Sequence, residues 1–271
     1  MMTAGPPTSD LSGWARGPFT GAGQTHDCYE KGSGPGVVLI PEIPGITPEV
    51  LGLAEHLVQS GFTVVVPSPF GVPGKADSGG YRMGVVLRLC VSSEFRAFAT
   101  NAHRPITDYI RAVAANLASR TPAAGVGVIG MCFTGGFALA AAVSDDVLAA
   151  VMSQPAVPFP LGRARQLDPG MSEEEMNRVV ERANAGEVCG LGLRFSNDVA
   201  SPPARFKAIK RRLGDAFEYI QLDSSPGNAG HFASNAHSVL TNEVRDVPGH
   251  PALAARERVV EFLRKQLPVA V

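Results

Sequence analysis

At 271 residues, with 45% hydrophobic and 18% charged side chains, the chain has enough apolar material for one large buried core and too little charge for a disordered polymer. Its 24 Lys and Arg against 25 Asp and Glu leave a net charge of -1, which excludes a long-range field able to draw in nucleic acid or an anionic membrane. Small molecules are the expected ligands.

Residues 1–24 are rich in Gly, Pro, Ser and Thr with little periodicity, and they read as a mobile or loosely docked leader ahead of a single domain over 25–271. They contain no apolar h-region of an export signal, and no later run reaches the roughly twenty apolar residues of a membrane span. A reducing cytoplasm is the expected setting. The four cysteines, Cys28, Cys90, Cys132 and Cys189, match neither a disulfide framework nor a zinc pattern and should remain thiols.

From residue 25 onward, short β-branched runs alternate with longer helical patterns. Strands are expected at 37–40, 63–66, 126–129, 149–152, 191–195 and 219–222, each an almost continuous apolar run suited to a strand covered on both faces. Helical spacing falls at 48–60, 105–118, 133–144, 203–213 and 252–266. Thr47 before Pro48 supplies a capping hydroxyl and a first-turn proline, Gly61 follows as a C-cap, and Pro202 opens another helix. The order predicts an α/β fold: a mostly parallel central sheet with helices on both faces. Two stretches, 70–104 and 155–188, interrupt the alternation and should wall and partly cover a pocket at the strand ends.

The segment from Gly125 to Gly136 carries the chemistry. Gly125, Gly127 and Gly130 spell G-x-G-x-x-G, the turn that cradles a dinucleotide pyrophosphate, with Asp145 and Asp146 downstream. In that fold the acidic residue follows the second strand, whereas these two precede the next apolar run, so the nucleotide reading fails on order. The other reading takes 126–129 as a strand and Gly130-Met131-Cys132-Phe133-Thr134 as a sharp strand-to-helix turn that exposes a nucleophile, Cys132. At a helix start, free N–H groups and the local dipole favour the thiolate that attacks carbonyl carbon. Thr134 is bulkier than the usual glycine, and Gly135 and Gly136 would let the helix approach the sheet. Cys28, Cys90 and Cys189 lack such a frame and read as structural.

With these motifs the sequence resembles the dienelactone hydrolase family over about 25–267. The resemblance implies the α/β-hydrolase fold, ester or lactone cleavage by a Cys-His-Asp triad, and no need for a metal or organic cofactor. The run Val38-Leu39-Ile40-Pro41-Glu42-Ile43-Pro44-Gly45 is similar to the family's strand ending in Glu, Ile and Gly. It implies that Glu42 contacts the resting thiol and that the Ile43 amide, with that of Phe133, forms the oxyanion hole. Asp198, ahead of Pro202, falls at the acid position, with Asp223 in reserve. For the base, His237 leads because His237-Ser238 stands about twenty residues before Glu257-Arg258, followed by His231 and then His250. His26, His56 and His103 precede the elbow and read as surface or satisfied core residues.

The family's arginine just after the catalytic histidine is absent, since this neighbourhood reads Val239-Leu240-Thr241. Arg82, Arg88 and Arg96 in the first cover segment are the candidates to hold a substrate anion instead. The competing function is a non-catalytic binding or regulatory protein whose hydrolase site has decayed, with Thr134 and the missing arginine as its support.

Overall fold

The computed structural model describes residues 5–269. Eight strands form one sheet in the order β1-β2-β4-β3-β5-β6-β7-β8. The six expected strands are β3 (Gly36–Ile40), β4 (Thr63–Pro67), β5 (Val126–Met131), β6 (Val147–Ser153), β7 (Cys189–Phe195) and β8 (Phe217–Leu222). They pair in parallel, β4 to β3 to β5 and on to β8. Every residue of β3, β4 and β5 is buried, which is why their sequences run apolar without alternation.

The leader reading is corrected over its second half. Residues Ala15–Gly21 are strand β1 and Gln24–Lys31 are β2, an antiparallel hairpin that extends the sheet past β4. Ala22 and Gly23 join the two with φ of 49° and 77°, as a two-residue hairpin turn requires. β1 is an edge strand with half its residues in solvent, so it carries Pro18 and few large apolar side chains, and its composition resembles a loop.

Side chains alternate along the strands into two apolar layers. Val38, Ile40 and Val128 face one layer, and Val37, Leu39 and Ile129 face the other. The second layer is covered by α1 (Pro48–Gln59) and α8 (Pro251–Gln266). The first holds α3 (Pro105–Ala118), α4 (Gly135–Ala141) and α7 (Pro203–Leu213), together with α2 (Gly79–Val91) and α6 (Glu173–Asn184). The short α5 (Arg163–Leu167) packs on α7. Thr47 caps α1 by accepting the Val50 N–H at 3.3 Å, with Pro48 in its first turn.

The cover segments divide. From 70–104, α2 leans over the strand ends; from 155–188, only the first residues reach that edge, while α6 packs against α4 and α7 as part of the apolar layer. Ser172 and Glu175 close a capping box at the start of α6, whose buried face carries Met176, Val179 and Arg182. Among the described residues no helix is long and apolar enough to cross a membrane.

Five of the largest fully buried side chains are arginines: Arg104, Arg182, Arg194, Arg205 and Arg256. Arg182 donates to the carbonyls of Ala142 at 2.7 Å and Val147 at 3.0 Å, tying α6 to the α4–β6 turn. Replacing it by Met leaves these buried acceptors without donors, so chemical denaturation of Arg182→Met should show a loss of about 3 kcal/mol. Asp145, its 78%-exposed ionic neighbour, contributes little: Asp145→Asn should change stability by less than about 1 kcal/mol.

Candidate active site

β5 ends at Met131, and Cys132 opens a single 3-10 turn (Cys132–Thr134) that runs into α4. Cys132 has φ of 51°, a left-handed conformation that costs a non-glycine residue energy and that the elbow imposes. The turn is tight because its neighbours are small: a Cβ at Gly130 would collide with the Thr134 carbonyl, and one at Gly135 would stand 2.6 Å from the Pro155 Cα. Thr134, the departure from the usual glycine, is fully buried and serves the bend. Its hydroxyl accepts the Met131 N–H at 3.0 Å and lies 3.2 Å from the Pro41 carbonyl, so it ties the elbow to the end of β3. Phe133 anchors the turn from below, with its ring against Phe95, Phe137 and Phe70.

Asp198 and His237 meet at the same end of the sheet. Asp198 follows β7 and is 5% exposed; one carboxylate oxygen accepts the Ala200 N–H at 3.0 Å and the Ser201 N–H at 3.3 Å. The other lies 2.7 Å from His237 Nδ1. His237 and Cys132 line the same cavity. Burial pulls the His237 pKa down, but the nearby Cys132 charge and the hydrogen-bonded Asp198 carboxylate outweigh it and hold the imidazolium well above its ordinary range.

The other histidines and the reserve acid are elsewhere. His231 and His250 line a neighbouring cavity with Phe232 and Arg245, and Asp223 is exposed, its carboxylate accepting the Ser225 N–H at 2.9 Å. His103 is bridged between Glu175 at 2.7 Å and Asp108 at 2.8 Å. His26 stacks edge-on against Tyr109, and His56 is half-buried on α1. All four cysteines are free.

Glu42 lines the same cavity as Cys132 but does not hydrogen-bond to the thiol, contrary to the expected resting contact. Three neutral donors take its oxygens: Ser238 Oγ at 2.8 Å, Gln154 Nε2 at 3.3 Å, and the Thr241 hydroxyl. Ser238 and Thr241 belong to the loop that carries His237, so that loop also holds the carboxylate. Ile43 and Phe133 both face this cavity, and among the described residues no acceptor takes the Ile43 N–H.

The cavity has a volume of about 390 Å³, with Ile43, Val86, Phe133 and Phe159 among its apolar walls. Of the expected arginines only Arg82 reaches it, and its guanidinium is engaged by Asp77. Arg88 is exposed on α2 away from the cavity. Arg96 also lies outside it and donates to the His103 carbonyl at 3.2 Å. A helix periodicity cannot tell which of three arginines on one segment turns inward, and that explains the two misplaced candidates.

Several residues at the site had no motif to mark them. Arg194, within β7, donates to the Ser201 carbonyl at 2.7 Å and the Asp198 carbonyl at 3.0 Å, shaping the acid's turn. Arg256, in α8, donates to the Leu240 carbonyl at 2.7 Å, just past His237. A charge inside an apolar run was the available signal for Arg194. Gln154, fully buried at φ of 34°, and Glu243, on the cavity wall, had none.

A mostly parallel sheet of eight strands, with the turn after β5 exposing a side chain at the strand ends, defines an α/β-hydrolase. The dienelactone hydrolase family model matches residues 26–265, and the chain belongs to that family. It is similar to a carboxymethylenebutenolidase from Rhodococcus opacus, 29% identical over 252 residues that make up 90% of this chain and 86% of the relative. Among solved structures, a dienelactone hydrolase-like promiscuous phosphotriesterase from metagenomic libraries has a TM-score of 0.64 at 16% identity, covering 94% of this chain and 98% of that one. A dienelactone hydrolase from Anabaena variabilis ATCC 29413 has a TM-score of 0.57 at 11% identity, with 94% and 98% covered. At these identities the structural matches establish the fold.

Since the Cys132 charge is the leading influence raising His237, removing the sulfur should lower the imidazole's titration midpoint. NMR titration of His237 in Cys132→Ala should show the shift to lower pH, and an unchanged midpoint would contradict this electrostatic influence.

Proposed function

We propose that this hydrolase cleaves an ester or lactone of a small organic molecule through an acyl-enzyme on Cys132. The observation that carries the reading is the His237 imidazole, held by the Asp198 carboxylate at 2.7 Å, on the wall of the same small-ligand-sized cavity that Cys132 lines. The pairing of His237 with Asp198 beside Cys132 supports catalysis over a decayed binding site.

In the proposed reaction the thiol proton resides on His237, and the Cys132 thiolate attacks the carbonyl carbon. The carbonyl π pair moves to oxygen, where the amides of Ile43 and Phe133 stabilise the new charge. Collapse of the tetrahedral adduct breaks the carbon–oxygen bond, and His237 gives its proton to the departing alkoxide. Water then attacks the thioester, losing a proton to the same imidazole, and the carboxylic acid leaves as the thiolate re-forms. Asp198 keeps Nδ1 protonated so that Nε2 faces the sulfur and the water.

Glu42 plays a positioning role in this scheme. Held by Ser238, Thr241 and Gln154, it braces the loop behind His237 and adds negative potential that favours the imidazolium. Every step uses the chain's own residues. The reducing cytoplasm remains the proposed setting, because it keeps the thiol free.

Steady-state and stopped-flow assays on p-nitrophenyl acetate and simple lactones test the reading. Cys132→Ala should fall to the background rate, and His237→Ala should lose about 10³-fold or more in kcat/KM. Slow deacylation gives a product burst stoichiometric with enzyme. Full esterase activity in Cys132→Ala would sink the proposal.

A further inference from the structure

The catalytic cavity is lined by five charged or titratable side chains besides the nucleophile: Glu42, Asp77, Arg82, His237 and Glu243. Four of them have partners. Asp77 is matched by Arg82, His237 by Asp198, and Glu42 by three neutral donors that satisfy its oxygens without cancelling its charge. Glu243 differs, since among the described residues no cation lies within ion-pair distance of it and no side-chain donor reaches it.

The nearest cation in sequence, Arg245, is directed elsewhere, donating to the carbonyls of Asn242 at 2.7 Å and Val244 at 2.8 Å. Glu243 is half-buried and fixed to the catalytic loop, its N–H donating to the Ser238 carbonyl at 3.2 Å. It lines both the catalytic cavity and the adjoining one of about 360 Å³ that holds His231, Phe232 and His250. Burial raises its carboxyl above the usual range, against the opposing pull of Arg245 and His237.

Resting on the ester-hydrolase reading above, we propose that Glu243 is a specificity residue that selects substrates bearing a cationic group, such as esters of amino alcohols, over anionic ones. A half-buried carboxylate without a counter-ion gains most when the ligand supplies one. An incoming carboxylate, by contrast, meets Glu42 and Glu243 and finds no unmatched cation, because Asp77 occupies the Arg82 fork, Asp198 pairs with His237, and Arg88 and Arg96 lie outside. The apolar walls from Val86 and Phe159 accommodate the rest of such a molecule.

Charge-matched thiol reagents separate this proposal from the hydrolase reading, because they report the potential at Cys132 without any hydrolysis. The probes are methanethiosulfonates carrying 2-(trimethylammonio)ethyl, 2-hydroxyethyl or 2-sulfonatoethyl groups. Their rates at Cys132 are followed by peptide mass spectrometry and normalised to a free small thiol. The cationic reagent should react fastest and the anionic slowest. Glu243→Gln should shrink the cation-to-anion ratio by about tenfold, the scale of one nearby unit charge at partial burial.

Glu243→Ala, with folding checked by circular dichroism, should shrink the ratio equally. In parallel, kcat/KM for the acetyl thioester of 2-(trimethylammonio)ethanethiol should exceed that of 2-mercaptoethanesulfonate, with the same loss of preference in both variants. A ratio that neither variant changes, or a preference for the anion, overturns the role of Glu243. Reagent selectivity with no thioester or ester turnover would instead sink the hydrolase reading and leave Glu243 as the determinant of a cation-binding cavity.

Discussion

Buried guanidinium groups bonded to backbone carbonyls hold the ends of this sheet in shape. A parallel sheet places its site on irregular segments beyond the strand ends, and such segments carry carbonyls that lack ladder partners inside the protein. Arg194 meets that need for the turn bearing Asp198, and Arg256 for the loop after His237. Arg205 does the same for the loop after β6, donating to the Pro158 carbonyl at 2.7 Å. Burial lowers Arg205 and Arg256 to about 10, which still leaves both charged at neutral pH, so the donors persist.

The site couples the first and last parts of the chain through a few polar contacts. Thr134 joins the elbow after β5 to the end of β3, where Glu42 and Ile43 begin. Glu42 then reaches across to Ser238 and Thr241, nearly two hundred residues later, and Gln154 joins both by accepting the Val239 N–H at 3.3 Å. A shift in any of the three loops is therefore felt at the other two, which suits the proposed reaction with its need for sulfur, imidazole and two amides in fixed relation. Thr134, a departure from the usual elbow glycine, and Thr241, in the stretch that lacks the family's arginine, are both recruited into this network.

Charge distribution follows the same economy. The interior arginines face carbonyls rather than the cavity, and the one guanidinium on the cavity wall is matched by Asp77. What remains facing the ligand is a carboxylate-rich rim around an imidazole, together with aromatic and aliphatic walls. This composition departs from what the family resemblance implies for anion binding, and it arises from which way three neighbouring arginines on the first cover segment turn.

The six parallel strands, five helices and the elbow were readable because each rests on a local rule: apolar runs for strands packed into the sheet, capping residues at helix starts, and glycines where the bend admits no Cβ. Cys132, Asp198 and His237 could be named from motif order and family resemblance before any geometry. The edge hairpin was missed because an edge strand is half-solvated and borrows the composition of a loop. Where Glu42 points and which arginine enters the cavity were decided by tertiary structure alone. Those choices depend on side chains brought together from distant parts of the chain, where desolvation and hydrogen-bond partners set the outcome and local sequence carries no record of either.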